Sequence, residues 1–300
     1  MKTTQRWLIN PLSGNRAGER LVERLSGLTG LAVEPIRFGQ LEEQLLSARD
    51  ASQLVVAGGD GTFASVLSCL SLGETPVVCM PLGTANDLAR ELGIAQLIRG
   101  KRVEDLPELF AALPSRSLAI WELRSGERVL PFCNYAALGY EGAVVHDFDA
   151  WRRRAGRSGK AINRLMYAAF GIRRTFSRLT GVTLAAAGES TLTCPQSMGL
   201  IATNIKSHLG LGFSNSHSSP FDSRIECVLT PTALSYLRMV ASGFGLASPP
   251  AVFASGESLC IENLPLGTAL QVDGEAAEPV SSPTATISLR RFANVSTAAG

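Results

Sequence analysis

The sequence predicts two domains of different class: an N-terminal α/β domain on a parallel sheet, and a β-rich, antiparallel C-terminal domain. Three observations carry this expectation. At 300 residues the chain exceeds what one compact core usually needs. Over the first third, short apolar runs alternate with segments of helical spacing, the pattern of strand–helix crossovers. Near Pro114 the period changes to closely spaced short strands.

In chain order, Arg6-Trp7-Leu8-Ile9 reads as a first strand that ends at Asn10-Pro11. Leu21, Val22, Leu25 and Leu28 follow a helical spacing. Residues 32–38 predict a second strand, weakened by Pro35, and Leu41, Leu45 and Leu46 a second helix. Leu54-Val55-Val56-Ala57 is a continuous run stopped by glycines, as a strand buried on both faces should be. Phe63, Val66, Leu67 and Leu70 give a helix, residues 76–80 another buried strand, and residues 88–92 the start of a further helix.

Beyond Pro114, residues 118–123 and 129–135 flank Ser125-Gly126, a hairpin signal. Further short strands are expected around residues 182–184, 198–202, 225–229, 259–261, 270–272 and 285–289. The expected division is residues 1–114, residues 115–284 with a basic helical insert at 150–178, and a last segment at 285–300. Residues 294–300 are small and polar and are expected to fray.

Composition narrows the class. Hydrophobic residues make up 45% of the chain, which excludes a mostly disordered protein. The longest apolar stretch, residues 233–254, is interrupted by Arg238 and Pro249-Pro250 and is too broken to span a bilayer. The start offers only Trp7-Leu8-Ile9 as an apolar run, too little for a signal peptide. Six widely spaced cysteines without a C-x-x-C pair read as small buried hydrophobes in a reducing, cytoplasmic setting. His146, His208 and His217 form no constellation and are expected on the surface or in loops.

Formal net charge is only +2, yet residues 150–188 contain no acidic side chain. They hold Arg152, Arg153, Arg154, Arg157, Lys160, Arg164, Arg173, Arg174 and Arg178. Trp151, Leu165, Met166, Tyr167, Phe170 and Phe176 are interleaved with them, so a basic helix with an aromatic side is expected. A solvated helical face is the plain alternative. The interleaving favours peripheral contact with an anionic membrane through residues 152–178 over nucleic acid.

Three glycine-bearing polar loops leave the ends of predicted parallel strands. They are Asn10-Pro11-Leu12-Ser13-Gly14-Asn15, Gly58-Gly59-Asp60-Gly61-Thr62 and Pro81-Leu82-Gly83-Thr84-Ala85-Asn86-Asp87. Ligands of open parallel sheets bind at the strands' carboxyl ends. Glycine admits close backbone approach, and helix N-termini attract anions, so a nucleotide's phosphates fit this pattern. Asp60 cannot attract phosphate itself and would instead hold Mg²⁺ or accept a proton. A tight turn with Thr62 as helix cap is the structural alternative, and Asn86 or Asp87 would cap the next helix. Asp273-Gly274 after residues 270–272 also reads as a hairpin turn, but residues 276–279 make a poor return strand.

The motifs at 10–14, 58–62 and 81–87, followed by Asp273-Gly274-Glu275, resemble the ordered set of the diacylglycerol kinase catalytic domain. The likeness is closer to soluble bacterial lipid kinases than to sphingosine kinases. It implies an N-terminal domain resembling NAD kinases and phosphofructokinases, a sandwich-like C-terminal domain, ATP between them, and a chain end that returns to the first domain. Carried over by motif, Asn10, Pro11, Leu12, Ser13, Gly14, Gly58, Gly59, Asp60, Gly61, Thr62, Phe63, Ala64, Gly83, Thr84, Asn86 and Asp87 would bind ATP and its Mg²⁺. Asp60 and Asp87 would organise the metal. Asp273 and Glu275, or else Asp60, would take the lipid hydroxyl's proton.

Asn134 and Asn204 fall where family asparagines sit, or simply bridge two loops. The sequence departs from the pattern at Trp121, where the family often has an aspartate, and at Arg37-Phe38, where a threonine usually meets the adenosine. It departs again at Pro220-Phe221-Asp222-Ser223, where a structural metal segment is reduced to Asp222. The implied activity is transfer of the ATP γ-phosphoryl group to a lipid hydroxyl, by a protein that is peripheral at the membrane and for which homodimerisation is open. An NAD kinase, or a non-catalytic lipid- or nucleotide-binding protein on the same fold, is the alternative.

Overall fold

The computed structural model describes residues 5–69, 73–83, 85–155, 160–176, 178–187, 190–207, 217–242 and 245–298. Thr84, Arg157 and His208 lie outside the described residues. The chain forms two compact units: Met1–Ile120 with Arg291–Gly300, and Trp121–Arg290.

The first unit is α/β. Its elements are β1 (Gln5–Ile9), α1 (Ser13–Leu25), β2 (Leu31–Pro35), α2 (Leu41–Ser47), β3 (Leu54–Gly58), α3 (Asp60–Leu67) and β4 (Val77–Pro81). The short helices α4 (Asp87–Glu91), α5 (Ile94–Leu97) and α6 (Leu106–Ala111) follow. The strands run parallel in the order β2-β1-β3-β4. Trp7, Leu8, Val55, Val56, Val77 and Val78 are fully buried, which is why these strands read as continuous apolar runs. Phe63, Val66 and Leu67 on α3, and Leu88 on α4, are equally buried.

A buried chain of polar side chains links β1 to the end of the chain. Trp7 Nε1 donates to Gln5 Oε1, Gln5 Nε2 to Gln53 Oε1, and Gln53 Nε2 to Phe110 O and Ser296 Oγ. Ser296 belongs to a strand at the chain's end whose Val295 pairs in parallel with Val77. Residues 294–298 are therefore not frayed. Val295, Ser296 and Thr297 are buried, and Asn294 Nδ2 donates to Glu74 O.

The second unit is antiparallel. It holds the strands β5 (Ser115–Ser125, from Trp121 onward), β6 (Arg128–Phe132) and β7 (Tyr135–Gly139). The helices α7 (Tyr140–Ala155) and α8 (Lys160–Arg173) come next. They are followed by β8 (Thr183–Ala186), β9 (Leu192–Thr193), β10 (Gly199–Thr203), β11 (Ile225–Thr230) and α9 (Ala233–Ser242). The last strands are β12 (Ala254–Gly256), β13 (Ser258–Glu262), β14 (Leu270–Val272), β15 (Glu275–Ala277) and β16 (Ala285–Ser296), which continues into the first unit.

One sheet of the unit has the order β12-β11-β10-β7-β14-β15. A second group joins β9, β8, β13 and the start of β16, and β5 pairs with β6 around Gly126. The α/β-plus-antiparallel fold class stands, with three corrections of detail. The run at 129–135 is two strands, broken at Cys133-Asn134. The helical region begins at Tyr140 rather than near 150. Residues 275–277 do form a return strand, β15, against β14.

Candidate active site

The first unit gathers its three glycine loops at the carboxyl ends of β1, β3 and β4. Asn10 Nδ2 donates to Thr62 Oγ1 at 2.9 Å, while Asn10 Oδ1 accepts from Leu12 N at 3.1 Å in an Asx turn. Thr62 thus lies inside α3 and is held from the first loop; the helix is capped by Gly59, without a side-chain bond. Gly58 O accepts from Leu82 N at 2.7 Å and Gly83 N at 3.2 Å, extending the β3–β4 pairing into the loops.

Glycine is required where these backbones meet. A Cβ on Gly83 would lie 2.8 Å from Gly59 Cα, and a Cβ on Gly14 would overlap Leu82 O. Gly14, Asn15 and Arg16 are successively left-handed, a local cost of order 1–3 kcal/mol for each non-glycine member. Ser13 and Pro11 are partly exposed and Leu12 points outward, whereas Phe63 is wholly committed to the core. Ala64 and Gly61 are partly exposed at the start of α3. Phe38, near the position expected for the adenosine part, is 53% exposed.

Asp60 links the second and third loops. Its Oδ1 accepts from Leu88 N at 3.1 Å, and the N–H groups of Asp87 and Asn86 also bond to the carboxylate. Burial, then the neighbouring Asp87 charge, raises the Asp60 pKa, against the lowering effect of those N–H groups. Asp87 is fully buried and paired with Arg90 one turn along α4. Asn86 takes a left-handed conformation, and its Nδ2 donates to Gly83 O at 2.7 Å. Its Oδ1 is buried with no hydrogen-bond partner among the described residues.

Asp60, Asp87 and the Asn86 amide offer oxygen donors only, the donor chemistry Mg²⁺ selects when phosphates complete its shell. The residues present therefore fit the metal. Asp222 is placed differently: its Oδ1 accepts from Arg224 N in a turn of the second unit. Among the described residues, no group of three or more His, Cys, Asp or Glu side chains forms a metal cluster.

In the second unit Asp273 and Gly274 are both left-handed, the conformation of a two-residue hairpin loop, and join β14 to β15. The buried Asp273 carboxylate accepts from Cys133 N, Asn134 N and Tyr135 N at 2.9, 2.8 and 3.1 Å. This clasp causes the break between β6 and β7. Behind it, Trp121 Nε1 donates to Asn204 Oδ1 at 2.9 Å, and Asn204 Nδ2 to Cys133 O at 2.7 Å. Asn204 is the bridge between loops; Trp121 takes over as its buried donor partner.

Glu275, two residues on, is exposed as a residue, but neighbouring protein crowds its carboxyl. Desolvation raises its pKa first and the Asp149 charge second, with Arg152 opposing. The link of Asp149 and Arg152 to Glu275 is invisible in the sequence because both reach it from α7, more than a hundred residues away. Arg90 was findable from its i,i+3 spacing to Asp87. His146 is no loop residue: it sits on α7, its Nε2 against Ala277 O.

Residues 6–108 match the family model of the diacylglycerol kinase catalytic domain. Diacylglycerol kinase 4 of Arabidopsis thaliana is 38% identical over 111 residues, covering 28% of this chain and 23% of that protein. Diacylglycerol kinase 2 of the same plant is 28% identical over 234 residues, covering 67% and 32%. The matches thus span a quarter to a third of these relatives' length. A diacylglycerol kinase structure from Bacillus anthracis superposes with a TM-score of 0.66 at 13% identity, covering 99% of this chain and 97% of that one. Yeast NADH kinase superposes with a TM-score of 0.54 at 14% identity, covering 99% and 84%. These two likenesses establish a shared fold.

Proposed function

We propose, from the match of residues 6–108 to the family model of the diacylglycerol kinase catalytic domain, that the protein transfers the γ-phosphoryl group of ATP to a lipid hydroxyl. The observation that carries this reading is the meeting of three glycine loops that bear Asp60, Asp87 and Asn86. Phosphoryl transfer asks a protein mainly for positioning and charge neutralisation. The loops at 10–14, 58–64 and 83–87 would bind ATP through main-chain N–H groups, with glycine letting phosphates approach the backbone.

Asp60, Asp87 and Asn86 would hold Mg²⁺, which when bound neutralises charge on the phosphates. Of the two carboxylates at the β14–β15 turn, we assign the proton-accepting role to Glu275. Asp273 already spends its oxygens on three main-chain N–H groups, whereas Glu275 is accessible and has a heightened proton affinity. The hydroxyl proton would pass to the Glu275 carboxylate as the acceptor oxygen bonds to the γ-phosphorus and the bond from that phosphorus to the bridging oxygen of ADP breaks, releasing ADP.

The test is incubation of the purified chain with labelled ATP and Mg²⁺, with either a fractionated lipid extract or NAD as the acceptor. Label in a lipid phosphate, absent in Asp60→Asn, is the expected result. Labelled NAD with no labelled lipid would overturn it in favour of an NAD kinase. ATP or vesicle binding without any transfer would make the protein a non-catalytic binder.

A further inference from the structure

Helix α8 carries an apolar stripe that stands exposed among the described residues. Ile162, Leu165, Ile172 and the following Phe176 are 51%, 68%, 75% and 87% exposed, and Ala169 fills the gap in the same row. The spacing of three and four residues places Ile162, Leu165, Ala169 and Ile172 on one face, and Phe176 follows in the turn after the helix. The opposite face is fully used: Tyr167 and Phe170 pack against Tyr140, Val144 and Met198, and Tyr167 meets Phe148 edge-on at 5.5 Å. Of the side chains expected on an outward aromatic face, Tyr167 and Phe170 therefore point inward, and the outward row is mainly aliphatic.

The roll of the helix is also fixed electrostatically. Arg174 Nε and Nη2 donate to the two Asp147 oxygens at 2.7 Å each, which holds the Asp147 carboxyl below its ordinary range. Arg173 at the end of α8 and Arg178 just after it are exposed, as are Arg152, Arg153 and Arg154 at the end of α7. No acidic residue occurs anywhere between 150 and 188 to balance them. An exposed apolar row flanked by charge of one sign is complementary to a surface that is anionic outside and hydrocarbon beneath. Nucleic acid would satisfy the arginines and leave the row in water.

We infer that α8 docks the protein on an anionic lipid bilayer, with Ile162, Leu165, Ile172 and Phe176 entering the headgroup–acyl boundary and the flanking arginines meeting lipid phosphates. The inference names the surface on which the proposed acceptor would be met, and it does not depend on phosphoryl transfer. The test is flotation of the full chain, without ATP, with vesicles of phosphatidylglycerol and phosphatidylcholine or of phosphatidylcholine alone. Wild type should bind the anionic vesicles, and binding should weaken as salt rises.

The double variant Ile172→Asp/Phe176→Asp should bind at least tenfold more weakly with an unchanged melting curve, because both side chains are exposed. Arg153→Glu/Arg154→Glu should lose the preference for anionic vesicles. Binding equal to wild type in both variants overturns the inference. So does a wild-type chain that ignores vesicles, whether it prefers a nucleic-acid duplex or uses the stripe to dimerise. Phosphorylation of a detergent-dispersed lipid without vesicle binding would sink the docking alone. Vesicle binding without phosphorylation would sink the kinase reading alone.

Discussion

Asp60 is asked to do two things that oppose each other. Its carboxylate caps the first N–H groups of α4, yet it sits desolvated beside Asp87, so ionisation is penalised. A carboxyl with a raised folded-state pKa binds its proton more tightly folded than unfolded. Its contribution to stability is therefore present below the ordinary value of 3.8 and is lost as pH rises through the raised one. Asp60→Asn keeps an oxygen for Leu88 N and removes the charge. We expect it to lose roughly 100-fold or more in phosphoryl transfer, yet to unfold at neutral pH at no lower urea concentration than wild type. Urea melts at neutral and acidic pH check this, and a stability advantage that grows on acidification would refute the charge argument.

Glu275 gives the second residue-level test. A base with a raised pKa makes the rate fall, as pH drops, above the usual carboxylate range. Glu275→Gln should cost roughly 100-fold or more in kcat and abolish that acid limb; an unchanged pH–rate profile would move the base elsewhere. Asp273→Ala should instead destabilise by roughly 1–3 kcal/mol, because it strips partners from buried main-chain donors. Chemical denaturation separates this effect from a loss of turnover.

Among the elements, the loops work as a set because glycine faces glycine. Replacing Gly83 by Ala would put a methyl 2.8 Å from Gly59 Cα and 2.9 Å from Asn86 Oδ1, and backbone cannot yield as a side-chain tip can. We expect a loss of about 1–3 kcal/mol from overpacking and roughly tenfold weaker ATP binding, read by calorimetry. Ala at Gly27, where no neighbour lies within 4 Å of the added carbon and the backbone is not left-handed, should leave ATP binding unchanged. These loops are legible in the sequence because β3 and β4 are buried on both faces. Such strands must be continuously apolar, so the glycines that end them stand out.

Other elements had no such local mark. Residues 129–135 form one apolar run, and the break at Cys133 is made by Asp273, 140 residues away. The short strand β15 has little apolar content of its own and exists because β14 offers it an edge. Helix α8 is apolar on more than one side, so periodicity alone could not tell the face on Tyr140 and Val144 from the outward one. The pairing of Glu275 with α7 is likewise a product of tertiary folding, invisible to spacing.

For the whole molecule, the decisive feature is that the α/β unit is not contiguous in sequence. Its sheet gains a parallel neighbour for β4 from the chain's last residues, and the buried amide of Gln53 gains Ser296 Oγ at 3.0 Å. Arg291 Nη1 donates to Cys69 O at 2.8 Å, Thr297 N to Pro114 O and Ala298 N to Leu92 O at 2.9 Å each. A fragment ending at Ile120 would expose the β4 edge and leave Gln53 with one bond fewer, although it contains every residue of the 6–108 match. Lost main-chain and side-chain hydrogen bonds of this kind are worth about 1 kcal/mol each, and small α/β units have little stability to spare. We therefore expect residues 1–120 alone to melt broadly or not at all, and the same fragment joined by a flexible linker to residues 291–300 to melt cooperatively. Equal, cooperative transitions for the two fragments in calorimetry would mean that the sheet is complete without its distant strand, and that the end of the chain is dispensable to the loops that β3 and β4 hold in place.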